Sequence, residues 1–454
     1  MNITKKKNRK LGGKMDILSV IGLILAVVVL VIGAYKGLGA LPLTLLASLV
    51  VILSSKIPIW TGFSQYYMNG YTSAYFSYFL LFCSSALYAK LMDISGCATS
   101  IGYQFIDWFG KKRVLLVSTL IISVLTYGGV SLFVVVYAVA PIMFLLFKEA
   151  NLPRHLTMAC LITGSATYTM TSLPGTTALT NVIPTQYLGT TLTAAPVFGI
   201  LATIAMFTMA ILYMGYAERL ARKRGEVWSY PENADPLLYE IKDRSQLPSV
   251  TISFTPLVSL VLIIIIGSRF VANSTMLAVL GMLTGALLTY VLNIQRFKDK
   301  NMKNIFTTGL EGGITSIGGL AGVVGFGTVV SNSIAFKHIV SWVLGLQLNP
   351  YVQAIVATMV VCAVTGSSSG GLKIMYDSLG KTFLSSTANL PVLHRLSSIS
   401  ASALDTLPHS PGLFLMFAVL GLNHKTAYKH VFVCSIVIPS IVTIVSTVII
   451  VIFL

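Results

Sequence analysis

SALDTLPHSPG, residues Ser402 to Gly412, places an acid, a histidine and two prolines between apolar segments. The chain around this stretch is 55% hydrophobic and only 10% charged, and its mean hydropathy is +0.83. So few polar residues cannot cover a water-facing surface, which excludes a soluble globular protein. The stretch therefore puts ionisable and helix-breaking residues at membrane depth, where they need a reason.

Apolar runs long enough to cross a hydrocarbon core of ~30 Å recur along the whole chain. The alternating pattern of a membrane β-barrel is not visible. The sequence therefore predicts an all-α polytopic membrane protein, embedded in membrane lipid. The runs are residues 17–34, 41–53, 76–91, 197–213, 256–271, 276–291 and 431–454.

The formal net charge of +17 comes largely from basic residues in short loops. Membrane topology requires such loops, so we do not predict a nucleic-acid partner. The 5 cysteines are scattered through largely apolar segments, a pattern that indicates neither a disulfide framework nor a metal site. Because no nucleophile, metal-ligand or cofactor motif is found, we expect no enzyme activity and no bound cofactor.

The opening stretch has a counterpart in the first half of the chain. DTLPHSPGL, which begins at Asp405, matches TSLPGTTAL, which begins at Thr171. Each follows a second polar interruption, TYGGVS at 126–131 and TGSSSGG at 365–371. Two interruptions in the same order and at similar spacing predict an internal repeat.

Loop charges indicate the direction of each half. Lys148 and Arg154 follow the first glycine-rich interruption, and Lys111–Arg113 precedes it, so this segment enters and leaves from the basic, cytoplasmic side. Its arms are short for full spans, which predicts a re-entrant hairpin. The same reasoning places the second hairpin on the opposite side of the membrane.

We therefore expect two repeats of inverted topology, each with a re-entrant hairpin and a broken transmembrane helix, an architecture of secondary transporters. The total would be about 10 spans plus 2 hairpins. The predicted units are repeat 1 at 15–217 with hairpin 114–147 and broken helix 155–184, a cytoplasmic connector at 218–250, and repeat 2 at 251–454 with hairpin 351–390 and broken helix 399–420.

The first 14 residues form a basic tail that contradicts this topology. The predicted symmetry places the N-terminus outside, yet the tail contains KKKNRK. We hypothesise that translation starts at Met15, which a mass spectrum of the native protein would test.

The interruptions are candidate anion sites, because a helix broken in the membrane exposes a positive dipole end and unpaired amides. Glycines let the backbone approach a ligand, and hydroxyls donate to a carboxylate. The alternative is that small residues only allow close helix packing, which we expect instead for residues 309–327. The candidates are Thr126, Gly128, Gly129, Ser131, Thr176, Ser367, Ser368, Ser369, Gly370 and Gly371.

Asp405 and His409 are the candidate proton-coupling residues. They lie four positions apart at membrane depth, beside Pro408, and histidine titrates near neutral pH. The alternative is structural: the aspartate caps a half-helix and the histidine bonds to a carbonyl. Thr406, between them, is included in the candidate substrate site.

The chain resembles the gluconate permease (GntP-type) family of bacterial proton symporters, within the wider ion transporter superfamily. The resemblance covers most of the chain and rests on TGSSSGGL, HRLSSISASALDTLPHSPG, LPGTTALTNVIP with LGTTLTAAP, and GLNHKTAY. These segments are most similar to the branch associated with short hydroxy acids such as 3-hydroxybutyrate. The sequence departs from the family pattern at Ser410–Pro411, where Asn-Gly is expected, and at Thr180, where Gln is expected.

The resemblance implies inverted repeats, a scaffold that commonly forms a homodimer, and a transport domain that moves as a rigid body. It also implies a site containing the residues Pro174, Gly175, Asn181, Asp405, Pro408, His409 and the tip from Ser367 to Gly371. We expect a proton-coupled importer of a small hydroxy-monocarboxylate, because few intramembrane cations are evident to neutralise more charge. The alternatives are a di- or tricarboxylate carrier, with sodium as a coupling ion, and an anion channel.

Overall fold

The computed structural model describes residues 17–36, 38–128, 130, 132–230, 244–267, 270–271 and 273–453. All regular secondary structure in these ranges is helical, which confirms the predicted all-α class. The basic tail and Met15 lie outside the described residues. The helices before the connector are α1 Ile17–Tyr35, α2 Ala40–Ser54, α3 Ile59–Thr61, α4 Met68–Ile94, α5 Cys97–Phe109, α6 Val114–Tyr127, α7 Leu132–Glu149, α8 Leu156–Ile162, α9 Leu179–Leu188 and α10 Pro196–Lys223.

The helices after the connector follow the same order of long, bent and interrupted elements. They are α11 Val250–Gly267, α12 Ser274–Leu292, α13 Ile294–Phe297, α14 Met302–Asn332, α15 Ile334–Leu344, α16 Pro350–Thr365, α17 Ser368–Leu384, α18 Leu390–Ala401, α19 Pro411–Leu420, α20 His424–Val431 and α21 Ile438–Phe453. Short π-helical turns continue α8 over Thr163–Thr167 and join α20 to α21 over Phe432–Val437. The internal repeat and its inverted orientation stay predictions.

Among the described residues, 7 helices are long and apolar enough to cross a membrane, or 8 if the α4–α5 pair, bent by 70°, is one span. The bend lies at Gly96, whose φ of 82° favours glycine. The predicted total was about ten spans. The difference arises because several of the apolar helices, including α2, α16 and α19, are shorter than a full span. The chain is a multi-pass membrane protein.

The longest helix, α14, packs against α4 and α2 through its glycines. A Cβ on Gly313 would lie 2.7 Å from the Cα of Cys83, and one on Gly325 would lie 2.9 Å from the carbonyl oxygen of Tyr67. The helix backbones therefore touch, as small residues in membrane helices permit. The prediction that residues 309–327 serve packing is confirmed at these positions.

We expect Gly313→Val to lower the free energy of unfolding by about 1–3 kcal/mol or more, because backbone atoms of α4 occupy the space its side chain needs. Gly312→Ala is the matched control, since a Cβ there meets no atom within 4 Å. Melting temperatures of both variants in one detergent would be compared. Equal melting temperatures would contradict the backbone contact.

Loops rich in basic residues meet at one end of the bundle, called here the basic end. It includes the ion pairs Lys111–Glu149 at 2.8 Å and Arg244–Asp107 at 3.2 Å. Arg296 also donates to the carbonyl of Gln246. Loops from both halves of the chain therefore lie on the same side, as the charge pattern predicted.

Candidate functional site

The second predicted broken helix is interrupted between α18 and α19. The backbone leaves the helix after Ala401 and resumes it at Pro411, which fits the first turn of α19 because its missing N–H needs no partner there. The interruption covers 402–410 and is called here the second break. Its first arm begins at Leu390, not at residue 399 as predicted, because the polar segment HRLSSIS is helical and buried.

Buried polar atoms without partners concentrate in the second break. Asp405 Oδ1, Thr406 Oγ1 and both ring nitrogens of His409 make no hydrogen bond with any described residue. The His409 ring lies beside the Ala363 and Val364 carbonyls at the end of α16, without hydrogen-bond geometry. Burying such groups unpaired is costly, which makes this cluster the candidate site in the second half of the chain.

Residues 365–371, predicted as the tip of a re-entrant hairpin and called here the second tip, lie at the junction of α16 and α17 and contact this break. Gly366 ends α16 with a φ of 62°, and a Cβ there would lie 3.2 Å from the His409 ring. Ser410 Oγ donates to the Gly366 carbonyl at 3.1 Å. Ser368, the first residue of α17, lies beside the Asp405 carboxyl. Tip and break thus form one polar cluster.

The residues of this tip have different roles. The Ser367 hydroxyl accepts from the amide of Gly370 at 3.2 Å and caps α17. A Cβ on Gly371 would lie 2.5 Å from Cys362 Sγ, so Gly371 lets α16 and α17 pack closely. Ser368, Ser369 and Gly370 are only half-buried, which leaves them accessible to a ligand.

The first break is the segment 168–178 between α8 and α9. It contacts the first tip, which follows the end of α6. Tyr127, at the end of α6, donates its hydroxyl to the Pro174 carbonyl at 3.3 Å. A Cβ on Gly175, where φ is 87°, would lie 3.0 Å from that hydroxyl. Thr126 Oγ1 is buried without a partner among the described residues, whereas the Thr176 hydroxyl accepts from the amide of Ala178 at 3.4 Å.

Two of the predicted candidates, Gly129 and Ser131, lie outside the described residues. Gly128 is described, and a Cβ there would lie 3.2 Å from Ile265 on α11. The predicted sites in the two halves therefore divide into two clusters, each made of one tip and one break.

Asn181 connects the two halves. Its Nδ2 donates to the carbonyls of Thr176 at 2.7 Å and Leu192 at 2.9 Å. Its Oδ1 accepts from Arg395 Nη1 at 2.8 Å and from His394 Nε2 at 2.9 Å. Every polar atom of the Asn181 side chain is thereby satisfied within the protein, so its role is to fix α9 against α18.

Arg395 is the buried cation that the sequence analysis missed. Its side chain is fully buried, and its five N–H groups donate to Asn181 Oδ1 and to carbonyls of the first half of the chain. No carboxylate pairs with it among the residues that the structure describes. The carbonyls are those of Thr171, Leu192 and Ala194.

Few intramembrane cations were expected, and the structure adds one of them, Arg395, next to the first break. His394, the neighbour of Arg395, is also buried on α18. A usable signal was present: His-Arg inside an otherwise serine-rich and apolar segment is an intramembrane ionisable pair by default.

Both departures from the family pattern make bonds to the protein itself. Thr180 donates its hydroxyl to the carbonyl of Met170, and Ser410 donates to Gly366 as described above. Pro411 begins α19. These positions shape the breaks rather than present a free polar group.

A hydrogen-bonded chain of four side chains lies at the basic end. Glu226 Oε2 is 2.6 Å from His155 Nε2, and His155 Nδ1 is 2.7 Å from His430 Nε2. His430 Nδ1 is in turn 3.0 Å from the Tyr213 hydroxyl. With one proton on each imidazole, every donor in this chain meets an acceptor. Arg224 and Lys429 are the cations beside it.

Acidification should weaken the hydrogen bonds that join these four side chains. Burial lowers the pKa of His155 below its usual 6.5, and the hydrogen bond from His155 lowers the pKa of Glu226 below 4.5. A group whose pKa is lower in the folded than in the unfolded protein stabilises the fold at pH values above its unfolded pKa. This contribution is lost as the pH falls through the folded pKa. We therefore expect the melting temperature to drop as the pH falls below about 6.5, through His155 first.

The comparison that isolates this effect is His155→Gln, which retains a donor but does not titrate in this range. Its melting temperature should depend less on pH between about pH 7 and about pH 5 than that of the parent. His338→Gln is the control, because His338 is not part of this series of hydrogen bonds. Parallel pH profiles for parent and His155→Gln would contradict the assignment.

Comparisons with known proteins agree with a membrane transporter. A family model described as GntP family permease matches residues 15–453. A relative from Bacillus subtilis (strain 168), named "Uncharacterized transporter YxjC", is 27% identical over 458 residues, which is 91% of this chain and 95% of that protein. Both matches include the two tips and the two breaks.

Proposed function

The chain belongs to the GntP family of permeases, and from this we propose that it is a secondary active transporter that carries a small hydroxy-monocarboxylate together with a proton. The observation that carries the proposal is the position of four helix N-termini. α7 and α17 begin directly after the two tips, and α9 and α19 begin directly after the two breaks. Each N-terminus supplies amides and a positive dipole end, which suit an anion.

The charge balance favours one negative charge on the substrate. Arg395 contributes a buried cation next to the first break, and Asp405 is a buried acid in the second break. One carboxylate is matched by one such cation and the helix N-termini, whereas a tricarboxylate would need further cations in the membrane. The candidate ligand groups are the half-buried Ser368 and Ser369 and the unpartnered hydroxyls of Thr126 and Thr406.

Proton coupling is proposed for Asp405 and His409. Both are buried, both have unpartnered polar atoms, and both contact the second tip. A proton taken up by Asp405 would cancel a negative charge that is costly to bury. A proton taken up by His409 would create a positive charge, which the bound anion would compensate. The nearby carbonyls of α16 also suit a sodium ion, so ion replacement is part of the test.

We also propose alternating access by inverted repeats, which the packing between the halves supports. α7 of the first hairpin packs against α19, while α17 of the second hairpin packs against α9. This reciprocal packing supports a two-fold relation between the halves, and we propose that the substrate binds between the two clusters. We propose that tips and breaks move together against α4 and α14, as in an elevator.

Uptake into proteoliposomes tests the proposal. Labelled 3-hydroxybutyrate and gluconate would each be offered with and without an inward proton gradient, with sodium gradients and citrate as separate arms. We expect saturable, proton-driven uptake of one hydroxy acid, and counterflow when unlabelled substrate is inside. Uptake of citrate alone would contradict the proposed substrate class and indicate a tricarboxylate carrier. Flux without counterflow would indicate a channel.

A further inference from the structure

Two side chains of α20 hydrogen-bond to the backbone of the second break. His424 Nε2 is 2.8 Å from the Pro408 carbonyl oxygen, and the Tyr428 hydroxyl donates to the Thr406 carbonyl at 3.2 Å. Because a carbonyl oxygen only accepts, Nε2 of His424 carries the proton. Both side chains are buried, and they lie four positions apart on one face of α20. α20 therefore presents two donors to one segment of irregular backbone.

These donors meet a need that a break creates. Backbone carbonyls outside a helix lose their helical partners, and hydrocarbon offers no replacement, so the protein must satisfy them. In the second break α20 does so for Thr406 and Pro408. The side-chain atoms Asp405 Oδ1 and Thr406 Oγ1, by contrast, have no partner among the described residues. The backbone of the break is thus fixed while side-chain atoms stay available to a ligand.

The two carbonyls lie next to the candidate coupling residues along the chain. Thr406 directly follows Asp405, and the Pro408 carbonyl belongs to the peptide bond that leads into His409. A peptide unit is planar, so fixing its carbonyl also fixes the orientation of the Cα atoms on either side. The hydrogen bonds from α20 therefore restrict the directions in which the Asp405 and His409 side chains point.

α20 is itself held in place. A capping box closes its first turn: Asn423 Oδ1 accepts from the Thr426 amide at 3.0 Å, and the Thr426 hydroxyl accepts from the Asn423 amide at 3.3 Å. The His424 ring packs against Phe414 and Phe417 of α19, with centroid distances of 5.0 and 4.7 Å. Packed rings restrict the rotamer of His424, so its donor has a fixed position.

The first break is held differently. Pro174, which the predicted repeat pairs with Pro408, accepts its hydrogen bond from Tyr127 at the end of α6. The donor in the first break thus comes from the predicted hairpin that contacts it, whereas the second break is held by a helix outside its own hairpin. The candidate coupling residues lie in the second break, so the difference coincides with the proposed coupling.

We infer that His424 and Tyr428 are positioning residues for proton coupling, which hold the backbone that directs Asp405 and His409 toward the second tip. The inference rests on the proposed function and adds two residues to the same site. Neither side chain has to touch the substrate or the proton. Loss of either hydrogen bond would let the break relax, so that proton uptake would accompany substrate binding less tightly.

Three variants test this role. Tyr428→Phe and His424→Phe each remove one donor and keep a ring in place, whereas His424→Gln keeps a donor. Each would be reconstituted and tested with 3-hydroxybutyrate and with gluconate. The readout is the ratio of uptake driven by an inward proton gradient to exchange without a gradient, measured in the same vesicles. Loss of folded protein lowers both rates and leaves their ratio unchanged.

We expect Tyr428→Phe and His424→Phe to lower this ratio roughly two- to tenfold, the range that loss of one hydrogen bond gives. His424→Gln should stay near the parent ratio. Tyr376→Phe is the matched control, because its buried hydroxyl is hydrogen-bonded at 2.6 Å to Ser397 Oγ, a residue outside both breaks. Its ratio should equal that of the parent.

Hydrogen–deuterium exchange of the segment 402–410 gives a second measurement, which needs no transport. Exchange should be faster in Tyr428→Phe and His424→Phe than in the parent, and unchanged in Tyr376→Phe. If either the ratio or the exchange were the same in the parent and in both variants that lack a donor, the positioning role would be overturned while the proposed function stood. A parent without proton-driven uptake would instead refute the proposed function, and the positioning role with it.

Discussion

Arg395→Met is expected to lower the free energy of unfolding by about 3–5 kcal/mol, a range typical of breaking a buried charged network. The substitution keeps an apolar stem but removes all five donors. The carbonyls of Thr171, Leu192 and Ala194 and the Asn181 amide oxygen then lose partners inside a buried interface. Arg395→Lys should retain only part of the stability that Arg395→Met loses, because an ammonium has three donors and no planar fork.

The measurement is the melting temperature of purified protein, with elution volume as a check on folding. Arg222→Met is the matched control, because Arg222 pairs with Glu218 at i, i+4 and its side chain is 49% exposed. Such pairs contribute only about 0.3–0.5 kcal/mol. If Arg395→Met and Arg222→Met lowered the melting temperature equally, the buried network would not connect the halves as described.

Asp405→Asn is expected to remove the stimulation of uptake by an inward proton gradient, a loss of about tenfold or more if coupling has its usual size. The amide has nearly the shape of the carboxyl but cannot take up a proton in this range. Exchange of labelled for unlabelled substrate needs no net proton movement, so it should continue. Folding should be preserved, because the amide has nearly the volume of the carboxyl and its oxygen can still accept a hydrogen bond.

The control for this variant is Asp377→Asn. That carboxylate pairs with Lys373 at 2.7 Å, and its side chain is 49% exposed, so it lies away from the breaks. It should keep proton-driven uptake near the parent level. Proton stimulation that survives in Asp405→Asn but disappears in His409→Gln would transfer the coupling role to His409.

Local chemistry explains why much of this molecule is predictable. Hydropathy placed the helices well: the predicted runs 17–34, 197–213 and 276–291 correspond to α1, α10 and α12. Glycines and prolines end helices through their own backbone geometry, so the positions of both tips and both breaks were visible as well. Lys373 and Asp377 pair because residues four positions apart on a helix are neighbours.

The predictions that were wrong concern contacts rather than local structure. The boundary at residue 399 was too late because a serine-rich segment becomes helical when its hydroxyls bond to backbone carbonyls, as Ser398 does at 2.9 Å to His394. The burial of His394 was not visible in the sequence because its partners, Thr190 and Asn181, lie far away along the chain.

The sequence by itself determined that this protein is helical, that it lies in the membrane, and where its helices break, because these properties depend on residues within one or two helical turns. The tertiary structure alone decided what the breaks meet. Arg395 donates all its hydrogen bonds to carbonyls and an amide from the other half of the chain, and His155 reaches Glu226 and His430 across three segments. Such partners are chosen by packing, since a buried polar group must bond to whatever acceptor the fold brings near it.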